Sequence, residues 1–107
     1  MEEKTRFLFS NFTPRNGVSE RVNHILASIV EIAPSDSNYT AVIEQIGNLF
    51  HFVITLRSSN GIFDANRTVD TRDQIYRERH WQVGVVSGLY NEMKREIANW
   101  HRRRFTA

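Results

Sequence analysis

Hydrophobic and polar positions along the chain divide it into six segments. Phe7-Leu8-Phe9 is a short β-like run, and the turn-rich Thr13-Pro14-Arg15-Asn16-Gly17 follows it. From Val22 the apolar residues Ile25, Leu26, Ile29, Val30 and Ala33 recur three or four positions apart, the stripe of one amphipathic helix. Ser19 is placed to cap that helix, and Pro34 with Ser35-Asp36-Ser37-Asn38 ends it. Residues 39–46 are rich in β-branched and aromatic side chains and stop at the turn dipeptide Gly47-Asn48. Residues 49–57 then alternate strictly. Phe50, Phe52, Ile54 and Leu56 point one way; His51, Val53, Thr55 and Arg57 point the other. Asn60-Gly61 is a strong hairpin signal, and residues 62–69 run back with Phe63, Ala65 and Val69 on one face.

Residues 70–80 are polar and without period, so they read as a charged loop or an irregular lead-in to a helix. From about Trp81 the helical pattern returns through Val83, Val86, Leu89, Tyr90, Met93, Ile97, Trp100 and Arg104. Gly84 and Gly88 lie inside this helix, where each costs about 1 kcal/mol relative to Ala. Their missing side chains suggest close approach of helix to sheet. The order β-α-β-β-β-α predicts an α+β two-layer sandwich. Two helices, each with one apolar stripe, cover one face of a four-stranded sheet.

Composition narrows the class. The chain has 107 residues, 40% hydrophobic and 24% charged, which fits one globular domain over residues 1–107. With no cysteine, disulfide scaffolds, thiolate metal sites and cysteine nucleophiles are excluded. No apolar run approaches the ~20 residues needed to span a bilayer, and Met1-Glu2-Glu3-Lys4 is no signal peptide, so a cytoplasmic protein without a membrane partner is expected.

Catalytic and metal chemistry find little support. His24, His51, His80 and His101 form no pair at ligand spacing, so no metal is expected. Ser19, Ser28, Ser35, Ser58 and Ser87 lie in no nucleophile elbow, and Gly84-Val85-Val86-Ser87-Gly88 lacks the Lys-Ser/Thr ending of a phosphate loop. Asp64, Asp70 and Asp73 with Glu44 are an unordered acidic set. The expectation is a protein that is not an enzyme and binds no cofactor. Trp81 and Trp100 read as core or interface rather than stacking platforms.

Charge is uneven although the net is only +2. Residues 1–56 carry four basic and six acidic side chains; the rest carry ten basic and six acidic. The end is the most basic stretch, with Lys94, Arg95, His101, Arg102, Arg103 and Arg104 opposed by Glu92 and Glu96. Such asymmetry points to an anionic partner such as nucleic acid, or equally to a solvated helix end whose cations complement the dipole.

The arrangement resembles the ribosome hibernation-promoting factor and ribosome-associated translation inhibitor family in its short, single-domain form. Residues that carry the likeness are Ser19-Glu20-Arg21-Val22 at the first helix and the hairpin from Leu56 to Ala65. In the last helix they are Gly84-Val85-Val86, Met93-Lys94-Arg95-Glu96-Ile97 and the basic end Trp100-His101-Arg102-Arg103-Arg104. The likeness implies binding to ribosomal RNA in the channel of the small ribosomal subunit, where messenger and transfer RNA otherwise sit, and hence translation repression. Phosphate neutralisation and shape fit then matter more than base reading. The implied RNA contacts are Arg95, Arg102, Arg103 and Arg104. Asn99 lies on the same helix side and Lys94 on an adjoining face. Arg72, Arg77 and Arg79 form a second set, although Arg77-Glu78-Arg79 is partly self-neutralised.

Two departures from the family pattern stand out. Ile29 occupies a place where the family carries a lysine, and residues 22–34 hold no Lys or Arg. Residues 71–80 also read as an insertion of about ten residues between the last strand and the last helix. The alternative is therefore a protein-interaction or homodimerisation module of the same fold that has lost RNA binding.

Overall fold

The computed structural model describes residues 5–59, 61–72 and 80–106, with side chains in the last helix as far as Arg103. Six elements follow in order: β1 (Leu8–Ser10), α1 (Val18–Ile32), β2 (Asn38–Ile46), β3 (Leu49–Ser58), β4 (Gly61–Asp70) and α2 (Trp81–Thr106). The strands form one sheet in the order β1-β2-β3-β4. β1 runs parallel to β2, with Leu8 opposite Val42. The two later pairings are antiparallel hairpins. A parallel neighbour needs a crossover, and α1 is that crossover.

The alternation in β3 sets the faces. Phe50, Phe52, Ile54 and Leu56 are buried, together with Ala41 and Ile43 of β2 and Phe63, Ala65 and Val69 of β4. The same core takes in Val18, Val22, Leu26 and Ile29 of α1 and Val85, Val86, Leu89, Met93 and Ile97 of α2. Both helices thus lie on one face of a mixed sheet, as the stripes predict.

Helix α1 begins earlier than expected. Gly17, not Ser19, is the N-cap, at φ 84, and no side chain caps the helix. Val18 is 2% exposed, so its burial draws the first helical turn one residue upstream of Ser19. The left-handed backbone at the cap suits glycine. At the other end Ala33 is extended and its N–H donates to the Val30 carbonyl, the conformation that the following Pro34 imposes.

Short polar contacts fix the ends of the sheet. The Phe7 N–H donates to Asn23 Oδ1 at 2.7 Å, which ties the start of β1 to α1. The hairpin between β3 and β4 closes where Ser58 pairs with Gly61, at the turn 58–61 that Asn60-Gly61 signals; Asn60 lies outside the described residues. Asp36 accepts from the Ser59 N–H at 3.0 Å and from its hydroxyl. Those bonds hold the Asp36 carboxyl below its ordinary value of 3.8. A carboxyl held low in the fold supports it above the unfolded value and loses that support as the pH falls. The Ser59 amide proton should therefore keep its hydrogen-bonded NMR shift as the pH falls through the ordinary carboxyl value of 3.8 and lose it only at lower pH. In Asp36→Ala the shift should be absent at every pH. An unchanged shift in that variant would contradict the contact.

The first turn of α2 is locked by rings. Trp81 meets Phe50 at 5.0 Å and Phe52 at 5.7 Å between centroids, both edge to face. Docking of Trp81 brings Val85 into the core and leaves Val83 half-buried, a small rotation from the stripe expected through Val83. Gly84 and Gly88 correct an expectation. Both face solvent, and a Cβ on either would meet no described atom within 4 Å. They do not serve close packing on the sheet, because α2 turns its other side to it. Gly84→Ala and Gly88→Ala should each raise stability by about 0.5–1 kcal/mol, read from the urea midpoint. A loss of stability would mean that something packs on that side.

Candidate nucleic-acid interface

The basic end of α2 presents one coherent side. At 3.6 residues per turn, Arg95, Asn99, Arg102 and Arg103 fall together, opposite the buried Met93 and Ile97. All four are exposed. Glu92 and Glu96 border the same side and temper its charge. Lys94 lies on the adjoining face, exposed, with Nζ 6.0 Å from the centre of the Tyr90 ring, a cation–π approach that leaves the ammonium near water. The Arg104 side chain lies outside the described residues.

Of the second arginine set, Arg72 is described and is not brought to the first set. Arg77 and Arg79 lie outside the described residues. Arg72 is exposed, and its guanidinium bridges Asp70 with contacts of 2.7 Å and 3.0 Å. The Arg72 hydrogen bonds pull the Asp70 carboxyl down to about 2. Arg72 follows the far end of β4, whereas Gly61–Asp64 at its start flanks Asn99–Arg103. At ~3.3 Å per residue the strand separates Arg72 from the end of α2 by about 20–30 Å.

Remaining candidates stay dispersed. Asp64 pairs with Thr55 and Asp70 with Leu49 along β4, and Glu44 sits two strands away opposite His51; Asp73 lies outside the described residues. Among the described residues, no group of His, Cys, Asp or Glu is placed to hold a metal, and no helix is long and apolar enough to cross a membrane. The sheet face away from the helices carries His51, Val53, Thr55 and Arg57, flanked by exposed Leu8, Ile46, Leu49 and Ile62. Glu44, Asp64 and Asp70 outnumber Arg57 there, so this face does not favour phosphate.

One feature was invisible to periodicity. The start of β4 and the last turns of α2 enclose an open groove of about 940 Å³. Its walls are Ile62, Phe63 and Asp64 on one side and Glu96, Asn99, Trp100 and Arg103 on the other. Trp100 is half-buried, and its ring meets Phe63 edge to face at 6.0 Å. The two tryptophans therefore divide. Trp81 belongs to the core, as expected, and Trp100 stands at the wall of a groove beside the basic side of the helix.

No family model and no curated protein matches this sequence. Solved structures do match in fold. The N-terminal domain of Thermus thermophilus Protein Y aligns with a TM-score of 0.58 at 10% identity, over 88% of this chain and 94% of that one. A ribosomal subunit interface protein from Coxiella burnetii aligns with a TM-score of 0.57 at 7% identity, over 90% and 97%. At these identities the likeness concerns the fold, which this chain shares almost end to end with both.

Proposed function

We propose that this chain is a non-enzymatic, cytoplasmic ribosome-binding protein that occupies the small subunit and represses translation, in the manner of hibernation factors. The observation that carries the reading is the near-complete shared fold with a ribosomal subunit interface protein. The exposed side formed by Arg95, Arg102 and Arg103 supports it, since ribosomal RNA demands phosphate neutralisation over a shaped surface. Helix α1 contributes no basic residue after Arg21, so the contact is concentrated on the end of α2. That concentration predicts weaker binding with a shallower salt dependence than two basic helices would give.

The test is a reconstituted translation reaction. Purified protein added in stoichiometric amounts to ribosomes should lower peptide synthesis, and excess messenger should relieve the effect. Undiminished synthesis at a large excess of protein would overturn the repressor role. A second reading, an interaction or homodimerisation module, is favoured by the exposed Leu8, Ile46, Leu49 and Ile62 on the open sheet face. It predicts a concentration-dependent mass in solution and no effect on translation.

A further inference from the structure

We infer that the groove between β4 and the end of α2 receives one unpaired nucleobase of a single-stranded RNA segment, stacked on Trp100. This rests on the RNA-binding reading and names what part of an RNA that site takes. Three observations converge. The groove, about 940 Å³, is of a size for small organic ligands and is open at one side. Trp100 presents a half-buried indole on its wall, already steadied by the edge-on ring of Phe63. Arg103 stands in the same lining, next to Arg102 and one turn from Asn99.

The charges in the groove set the orientation. Glu96 is an acceptor on the helix wall, so a phosphate directed inward would be repelled, while Asp64 contributes its strand position to the other wall and turns its side chain to the open face. A base that carries an amino group is attracted, because carboxylates accept from such N–H donors, as they do from cytosine N4. Asn99 can donate or accept beside Glu96. Arg103 then pairs with the phosphate that flanks the inserted base, as guanidinium forks do. Base inside and backbone outside is the arrangement in which Glu96, Asn99 and Arg103 each meet a partner of opposite polarity. Aromatic stacking of this kind tolerates any base face, while the Glu96 carboxylate favours amino-bearing bases over uracil.

The experiment uses a short oligocytidine, an abasic strand of the same length and the full chain. The indole N–H resonances of Trp81 and Trp100 are followed by NMR, with Trp100 assigned by its loss in Trp100→Leu. The oligocytidine should shift the Trp100 signal and leave Trp81 in place; the abasic strand should shift neither. Trp100→Leu should weaken oligocytidine binding roughly 5- to 150-fold, and Trp100→Phe should retain most of it. The Trp81 resonance reports whether each variant is folded, and if the Leu variant is not, the wild-type shift and the Phe variant decide. An unmoved Trp100 signal at saturating oligocytidine, equal affinity for the abasic strand, or undiminished binding by a folded Trp100→Leu chain would each overturn the inference. Failure of the chain to engage ribosomes while the Trp100 shift persists would sink the ribosome reading and leave the groove standing.

Discussion

Phe52→Ala should cost this protein about 3–5 kcal/mol of folding stability. Phe52 lies in the middle of β3, paired with Ile43 on one side and Arg67 on the other, and is fully buried. Its ring takes the edge contact from Trp81 that seats the first turn of α2. Removing it opens a cavity that strands fixed on both sides cannot close, and small domains hold only about 5–15 kcal/mol in total. Val53→Ala, one residue on, is the matched control. Val53 is half-buried on the open face opposite Val42 and Asn66, so its loss should cost about 1 kcal/mol or less. Urea denaturation of the two variants reads the difference directly. Equal costs would mean that the faces of β3 are not divided as the register has them, because a slip of one residue exchanges the faces.

Replacing Arg95, Arg102 and Arg103 together by Ala should weaken small-subunit binding at low salt and flatten its salt dependence by about two units of log–log slope. Each phosphate contact releases roughly 0.7–0.9 of a counterion, and three contacts set the ceiling. All three side chains are exposed on the same side of α2, so the variant should fold normally, since exposed charges usually contribute within about 0.5 kcal/mol. Loss of binding with an unchanged slope would assign these arginines to packing or shape rather than phosphate. Unchanged affinity and slope would remove the end of α2 from the interface and favour the interaction-module reading.

The layers of this fold were legible because burial writes itself into spacing. Phe50 to Leu56 alternate, and Val22 to Ile29 recur at helical intervals, since each set has one side to hide. The parallel placement of β1 beside β2 was not legible, because three strand residues carry no signal of direction. Spacing leaves Trp81 to core or interface, and it lies in the core; its seat between Phe50 and Phe52, which turns Val85 inward, depends on contacts some thirty positions apart in sequence. Gly84 and Gly88 misled because small residues four apart are the same string of letters on the packed and solvated sides of a helix. The basic side of α2 could be read from the one-turn spacing of Arg95, Asn99 and Arg102. Its groove could not, because residues 61–64 and 96–103 meet only once the hairpin and helix are folded together. Charge alone marks Arg72 as a contact, and only the turn after β4 reveals that Asp70 holds its guanidinium.

Sedimentation of the protein with purified small ribosomal subunits through a sucrose cushion tests the central claim most directly. The chain should enter the pellet with the subunits at low salt and leave it as salt is raised, in keeping with contacts made to phosphate by exposed arginines. A chain that stays in the supernatant at low salt, with subunits in excess, would contradict the claim.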